Sequence, residues 1–281
     1  MAARILDGKA VAAAVKAEVT ADVAGLGYRP GLATVLVGDD PASHAYVRGK
    51  RRDAEEVGIT SVHHELSGDT STESLEDLIA TLNSDDQIDG ILVQLPLPAG
   101  LDSEQIVERI HPSKDVDGLH PYNLGRLVLD RPGLRPCTPG GIMRILDHYE
   151  IATSGARAVI VGRSFLVGRP LALMLASRGA DATVSVAHSR TTDLAAITKQ
   201  ADILVAAVGS PGLITADHVG EGAVVIDVGI NRSVGGIIGD VDYESVTEVA
   251  SAITPVPGGV GLMTRAMLLA NTVTAAKARR H

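Results

Sequence analysis

An α/β fold in two domains is predicted by three observations. Short apolar runs alternate with longer helical stretches through most of the 281-residue chain, the order that builds a mainly parallel sheet. A stretch rich in Pro, Gly and polar residues between Ile110 and Pro139 breaks that alternation and marks a connection. Beyond it, Ala158-Val159-Ile160-Val161 runs through a turn with glycines at Gly162 and Gly168 into Leu171-Ala172-Leu173-Met174-Leu175-Ala176. That is a strand, a glycine turn and a helix, the device that lets a backbone approach a pyrophosphate at a helix N-terminus.

Each element has a local reason. Lys9 to Ala24 is alanine-rich and reads as a helix, and Leu32 to Val37 is a buried strand ended by Gly38. Asp39 or Asp40 caps the next helix, with Pro41 in its first turn and Gly58 past its end. Ile59 to Leu66 is a second strand, and Ser71 or Thr72 caps a helix through Asn83. Ile88 to Leu95 is a third strand stopped by Pro96 and Pro98, followed by a helix near Asp102 to Ile110. A helix from Gly140 to Tyr149 leads into the second half. That half continues with strands at Ala182 to Ala187, Asp202 to Val208 and Ala223 to Val228. The run Thr254 to Gly261 closes it, and a long helix, Met263 to Arg280, is expected to pack back on the first domain.

Composition narrows the function. Hydrophobic residues make up 45% of the chain, with no Trp, one Phe and five Tyr, so the core is aliphatic and offers few stacking platforms for nucleic acid. A net charge of −9 argues against a phosphate-backbone binder. Cys137 is the single cysteine, which leaves no internal disulfide and no thiolate metal cluster. The N-terminus carries Asp7 before any long apolar stretch and reads as a folded start, so a cytoplasmic protein without membrane or nucleic-acid partners is expected. Nine His include the pair His63-His64, but no spacing resembles a zinc site and no metal is expected.

Candidate chemistry falls in two groups. In the first half, Tyr46 and Lys50 are four apart and share one helix face with Ser43 a turn earlier. Gln94 ends the third strand, and Asp117 lies in Lys114-Asp115-Val116-Asp117-Gly118. Ligands of parallel sheets collect at the carboxyl ends of strands, so Lys50, Gln94 and Asp117 are candidates for one pocket. Each has a plainer reading: a solvated Lys50-Arg51-Arg52 face, a strand end, a turn aspartate. In the second half, Arg163 and Ser164 follow Gly162 in the glycine turn, where an adenosine phosphate would lie. The strand after it ends in His188-Ser189-Arg190, without the acid that would bond a ribose 2′-hydroxyl and repel a 2′-phosphate. NADP is therefore expected over NAD.

These stretches, taken together, resemble the bifunctional methylenetetrahydrofolate dehydrogenase/methenyltetrahydrofolate cyclohydrolase family. The match covers Ser43-x-x-Tyr46-x-x-x-Lys50, Gln94-Leu95-Pro96-Leu97-Pro98, Lys114 to Gly118 and Pro136-Cys137-Thr138-Pro139-x-Gly141. It continues through Gly162 to Pro170, Asp227-Val228-Gly229-Ile230-Asn231 and Thr254 to Gly261. The resemblance implies a catalytic domain of 1–120 plus 263–281, a Rossmann-type NADP-binding domain of 121–262, and a cleft between them. It implies a cytoplasmic homodimer acting on tetrahydrofolate derivatives in one-carbon metabolism and purine biosynthesis. It also implies roles: Lys50 for proton transfer, Gln94 orienting it, Tyr46 packing on the folate and Asp117 anchoring the pterin. Thr138 and the Pro257-Gly258 turn would complete the cleft. Gly162, Arg163, Ser164, Gly168, Ser189 and Ile230 are the expected cofactor residues, with Arg190 weaker and Thr138 counted among them. One departure is Leu262, where the family usually has proline before Met263-Thr264. A shikimate-type dehydrogenase, a folate- or nucleotide-sensing module and a monofunctional member are the alternatives, and the presence of Lys50 and Gln94 weighs against the sensor.

Overall fold

A computed structural model describes residues 2–280. The chain opens with β1 (Arg4–Ile5) and α1 (Gly8–Gly25). It then alternates through β2 (Gly31–Val37), α2 (Pro41–Glu56), β3 (Thr60–Leu66), α3 (Thr72–Ser84), β4 (Gly90–Val93) and α4 (Ser103–Arg109). Two helices follow, α5 (Pro121–Val128) and α6 (Cys137–His148). The next run is β5 (Arg157–Val161), α7 (Gly168–Ala176), β6 (Thr183–Ala187), α8 (Leu194–Thr198), β7 (Ile203–Ala206) and β8 (Val224–Asp227). The chain closes with β9 (Asn231–Ser233), β10 (Gly236–Ile238), α9 (Tyr243–Thr247), β11 (Ala252–Ile253) and α10 (Val260–Arg280).

Two compact units result: Met1–Ala12 with Thr138–Thr264, and Ala13–Cys137 with Arg265–His281. The sequence expectation of 1–120 plus 263–281 against 121–262 differs from this division at 263–264 and, more substantially, at two other places. The first twelve residues leave the first domain because β1 pairs in parallel with β11, Arg4 against Ala252 and Ile5 against Ile253. The stretch 121–137 joins that domain and is not a connection. Asp115 holds its start, accepting from Leu119 N, His120 N and Asn123 Nδ2 at 2.8–3.2 Å. The His120 imidazole then caps α5 through Tyr122 N.

In the unit of Ala13–Cys137, a three-stranded parallel sheet runs in the order β3-β2-β4. Every residue of β2 is buried, as expected of a strand covered on both faces. Ala33, Val35 and Val37 of β2, Ile91 and Val93 of β4, and Leu75, Ile79 and Ile106 from α3 and α4 form one apolar cluster. Asp40 caps α2 by accepting from Ser43 N, and Ser71 and Asp102 cap α3 and α4 in the same way. The strand β4 is shorter than the apolar run Ile88–Leu95. It ends at Val93, but Gln94 N still donates to Val35 O at 2.9 Å, one more rung of the ladder just before the cis peptide Leu95-Pro96.

In the other unit a six-stranded parallel sheet runs β1-β11-β8-β7-β5-β6. Chain order reverses between β5 and β7, the switch point where such sheets bind ligands beyond the strands' carboxyl ends. A hairpin of β9 and β10, not foreseen from the sequence, follows β8. The final helix begins at Val260, three residues before the expected start. Leu262 lies in its first turn and donates its N–H to Gly259 O at 3.3 Å, a bond proline cannot make.

Candidate active site

Helical spacing puts Tyr46 and Lys50 on one face of α2, but the consequence for Lys50 is burial rather than a solvated face. Lys50 is 6% exposed. Its Nζ donates to Gln94 Oε1 at 2.9 Å, the one hydrogen bond it makes among the described residues. Gln94 is held in turn, since its Nε2 donates to Leu95 O at 2.5 Å. A neutral amide therefore faces the amine where a carboxylate would have fixed it as an ammonium. Loss of water pushes the Lys50 pKa below the ordinary lysine value; Asp117 and Cys137 oppose that shift, and the Arg265 charge adds to it. The result is a buried amine on a neutral partner that gives up its proton more readily than a solvated lysine.

Asp117 is half-buried on the turn that ends at Gly118. Its neighbours in the motif do other work. Lys114 is fully buried and donates to Leu82 O and Asp85 O, closing the C-terminal end of α3, while Asp115 caps the entry to α5. Of the three, only Asp117 is partly exposed. The Asp117 carbonyl accepts Cys137 N at 3.2 Å, and Cys137 Sγ donates to Val116 O at 3.2 Å. Burial, with Asp117 beside it, raises the Cys137 thiol well above its usual value, so it stays protonated. Asn271 of α10 pins this turn, donating to Val116 O and Arg135 O at 2.8 Å. Tyr46 is half-buried, and desolvation raises its phenol against the opposing pull of Arg265. Arg265 pairs with Asp53 of α2 and donates to Gly49 O. Arg265 and Asn271 escape the sequence reading, which names Cys137 only as the single cysteine and within the Pro136 to Gly141 match.

The second group of candidates lies in the unit containing Thr138–Thr264. Gly162 has φ +128, and a Cβ there would stand 2.1 Å from Ala207 O; a Cβ on Gly168 would stand 2.1 Å from Gly162 O. The turn thus lies against the backbone beyond β7 and against the start of α7, leaving no room for side chains. Ser164 Oγ accepts Val167 N at 3.1 Å and keeps its own proton to donate. Arg163, Ser164, Ser189 and Arg190 are all exposed. The turn after β6 is closed by His188 Nδ1, which accepts Arg190 N, and carries no carboxylate from His188 to Thr192. Val167, the residue capping α7, makes no side-chain cap bond, while in the first turn Arg169 N donates to Ser164 O at 3.1 Å and Pro170 carries no N–H. Ile230 is exposed after β8, whereas Thr138 is half-buried and hydrogen-bonded to Thr264 at 2.9 Å. Cations, hydroxyl donors and a helix N-terminus at a glycine turn fit a phosphorylated dinucleotide. Gly162→Ala adds strain of about 1–3 kcal/mol as well as the clash. It is expected to weaken NADPH binding at least tenfold, read by fluorescence titration; undiminished affinity would contradict the role of the turn.

No helix among the described residues is long and apolar enough to cross a membrane. Asp39, His44 and Glu65 bring donor atoms within 4.8 Å of one another. Neither of the two acids is buried, and the group involves His44 rather than the pair His63-His64.

Residues 6–117 match the family model described as tetrahydrofolate dehydrogenase/cyclohydrolase, catalytic domain. Residues 136–280 match the NAD(P)-binding domain of the same family. The Bifunctional protein FolD of Nitratidesulfovibrio vulgaris (strain DP4) is 56% identical over 98% of this chain and 99% of its own length. Among solved structures, the bifunctional FolD methylenetetrahydrofolate dehydrogenase/cyclohydrolase of Campylobacter jejuni is 50% identical. It aligns with TM-score 0.95 over 99% of this chain and 100% of its own. The Trypanosoma brucei methylenetetrahydrofolate dehydrogenase-cyclohydrolase, complexed with NADP cofactor and inhibitor, is 39% identical with TM-score 0.94 over all of both chains. A shikimate dehydrogenase from Aquifex aeolicus, at 13% identity and TM-score 0.53 over 89% of this chain and 92% of its own, shares the fold alone. The chain belongs to the tetrahydrofolate dehydrogenase/cyclohydrolase family.

Proposed function

We propose that this chain oxidises 5,10-methylenetetrahydrofolate with NADP to 5,10-methenyltetrahydrofolate and hydrolyses that product to 10-formyltetrahydrofolate. The observation that carries the reading is the buried Lys50 amine bonded to the neutral Gln94 amide. Bound NADP supplies the hydride acceptor. Arg163, Ser164 and Ser189, with Arg190, would hold its phosphates, and Ile230 and Thr138 would border it. The oxidised product is a cation stabilised by its own two nitrogens, so that step asks for positioning and no general base.

Hydrolysis asks for proton transfer. Water bonds to the methenyl carbon, and its proton passes to the neutral Lys50 amine, which Gln94 Oε1 orients. The carbon–N5 bond then breaks as the formyl carbonyl forms. N5 takes a proton back from Lys50, and the remaining hydroxyl proton leaves to solvent. The cationic substrate itself favours the neutral amine. Asp117 accepts donors from the amino-pyrimidinone edge of the pterin, and Tyr46, protonated and half-buried, packs along it. The same reading includes a cytoplasmic homodimer feeding formyl groups to purine biosynthesis; sedimentation equilibrium at twice the monomer mass tests the assembly.

Purified protein with methylenetetrahydrofolate and NADP is expected to form NADPH. With methenyltetrahydrofolate alone it is expected to speed the loss of the methenyl absorbance. Equal efficiency with NAD would remove the preference for NADP. Cofactor reduction without accelerated methenyl loss would make the chain a monofunctional dehydrogenase.

A further inference from the structure

Two buried carboxylates outside the folate site tie together the loops at the carboxyl ends of β7 and β8. Asp240, which is fully buried, follows the hairpin of β9 and β10. Its Oδ2 accepts Val208 N at 2.7 Å and Gly209 N at 2.9 Å. Its Oδ1 accepts Ser210 N and Asn231 Nδ2, both at 2.9 Å. One side chain thus satisfies three successive backbone amides of the loop after β7 and the side chain of Asn231, which opens β9 directly after the β8 loop. Asp227, the last residue of β8, completes the tie. Its Oδ1 accepts Gly229 N at 2.8 Å and Asp240 N at 2.9 Å, and its Oδ2 accepts Val241 N at 3.0 Å. Hydrogen bonds to a charged acceptor are the strong ones, and buried amides left without a partner are costly.

The glycines around the pair show how closely it is built. A Cβ on Gly239 would lie 1.7 Å from Asp227 Oδ2, and one on Gly229 would lie 2.5 Å from Asp240 Oδ1. The loops so fixed border the candidate dinucleotide site. Residue 207, one before the triple-amide loop, carries the carbonyl against which Gly162 lies. Ile230 sits between Gly229 and Asn231, both held by the carboxylate pair.

We propose that Asp240 is the positioning residue for the cofactor loops, holding 208–210 and Ile230 in binding geometry through its four hydrogen bonds, with Asp227 anchoring it to β8. This rests on the NADP-dependent reading above. Asp240 acts through the loops and has no part in proton transfer at Lys50. The pair is therefore expected to govern one activity and leave the other intact.

The test compares wild type, Asp240→Asn and the milder Asn231→Ala. In Asp240→Asn, amide hydrogen exchange at 208–210 in cofactor-free protein is expected to rise at least tenfold. The Kd for NADPH and the KM for NADP are expected to rise at least tenfold, with methenyl hydrolysis, which needs no dinucleotide, within twofold of wild type. Asn231→Ala removes one donor, and about threefold weaker NADPH binding is expected. Unchanged NADPH affinity in Asn231→Ala, or hydrolysis falling in step with dehydrogenation in Asp240→Asn, overturns the proposal. Wild-type protein lacking both activities would instead overturn the functional reading.

Discussion

Lys50→Met is expected to lower methenyltetrahydrofolate hydrolysis by roughly 10²–10⁴-fold, the usual contribution of a positioned acid–base group. Folate binding should persist, because the methylene stem is kept and only the amine is lost. Dehydrogenation should persist within about tenfold, since hydride transfer requires positioning and no base. Stopped absorbance assays of both reactions on one preparation check this, and unchanged hydrolysis refutes the role. The same residue sets a pH dependence. An unfolded lysine holds its proton up to about 10.5, while folded Lys50 releases it lower because burial disfavours the ammonium. Between those two values the unfolded chain binds more protons, so stability rises with pH through that window and levels above it. Denaturant titrations at several pH values should show that slope steeper in the wild type than in Lys50→Met, where buried Lys114 still contributes. Hydrolysis should likewise fall as pH drops through the lowered value, when the amine becomes charged.

Asp117→Ala is expected to damage both reactions together. A carboxylate accepting two donors from a pterin edge contributes about 1.5–3 kcal/mol per bond, so kcat/KM should drop roughly 10²–10⁴-fold for dehydrogenation and hydrolysis alike. Steady-state kinetics on both substrates separate this from the Lys50 effect: Asp117→Ala loses the two activities in parallel, Lys50→Met loses one. A selective loss in Asp117→Ala would assign the carboxylate to chemistry rather than to anchoring.

Features written in short-range spacing were legible in the sequence, and features assembled over distance were not. The four-residue interval of Tyr46 and Lys50 gave one helix face, and Pro41 and Asp40 gave its start. No local rule reveals that Lys50 is buried, because Arg51 and Arg52 beside it read as a solvated face; the helix turns Lys50 inward and leaves Arg52 exposed. The Lys50–Gln94 bond spans 44 residues and became visible only when β2 and β4 paired. In Lys114-Asp115-Val116-Asp117-Gly118 every residue is buried except Asp117, which is half-buried. Lys114 and Asp115 are consumed by Leu82, Asp85 and the α5 entry, which composition alone does not distinguish from Asp117. The stretch 110–139 reads as a connection because it is rich in Pro, Gly and polar residues, yet side-chain bonds from Asp115 and Asn123 organise it as part of a unit. Asp240 follows the glycine-rich, mostly exposed run 235–239, and nothing in its local pattern separates it from a turn aspartate.

The single thiol of the chain, Cys137, is 2% exposed beside Asp117 and donates its proton to Val116 O. A thiolate is the species that oxidants, alkylating agents and glutathione attack, and both burial and a neighbouring carboxylate suppress it. Cys137 is therefore kept as a buried thiol, out of reach of the reagents that attack an exposed thiolate.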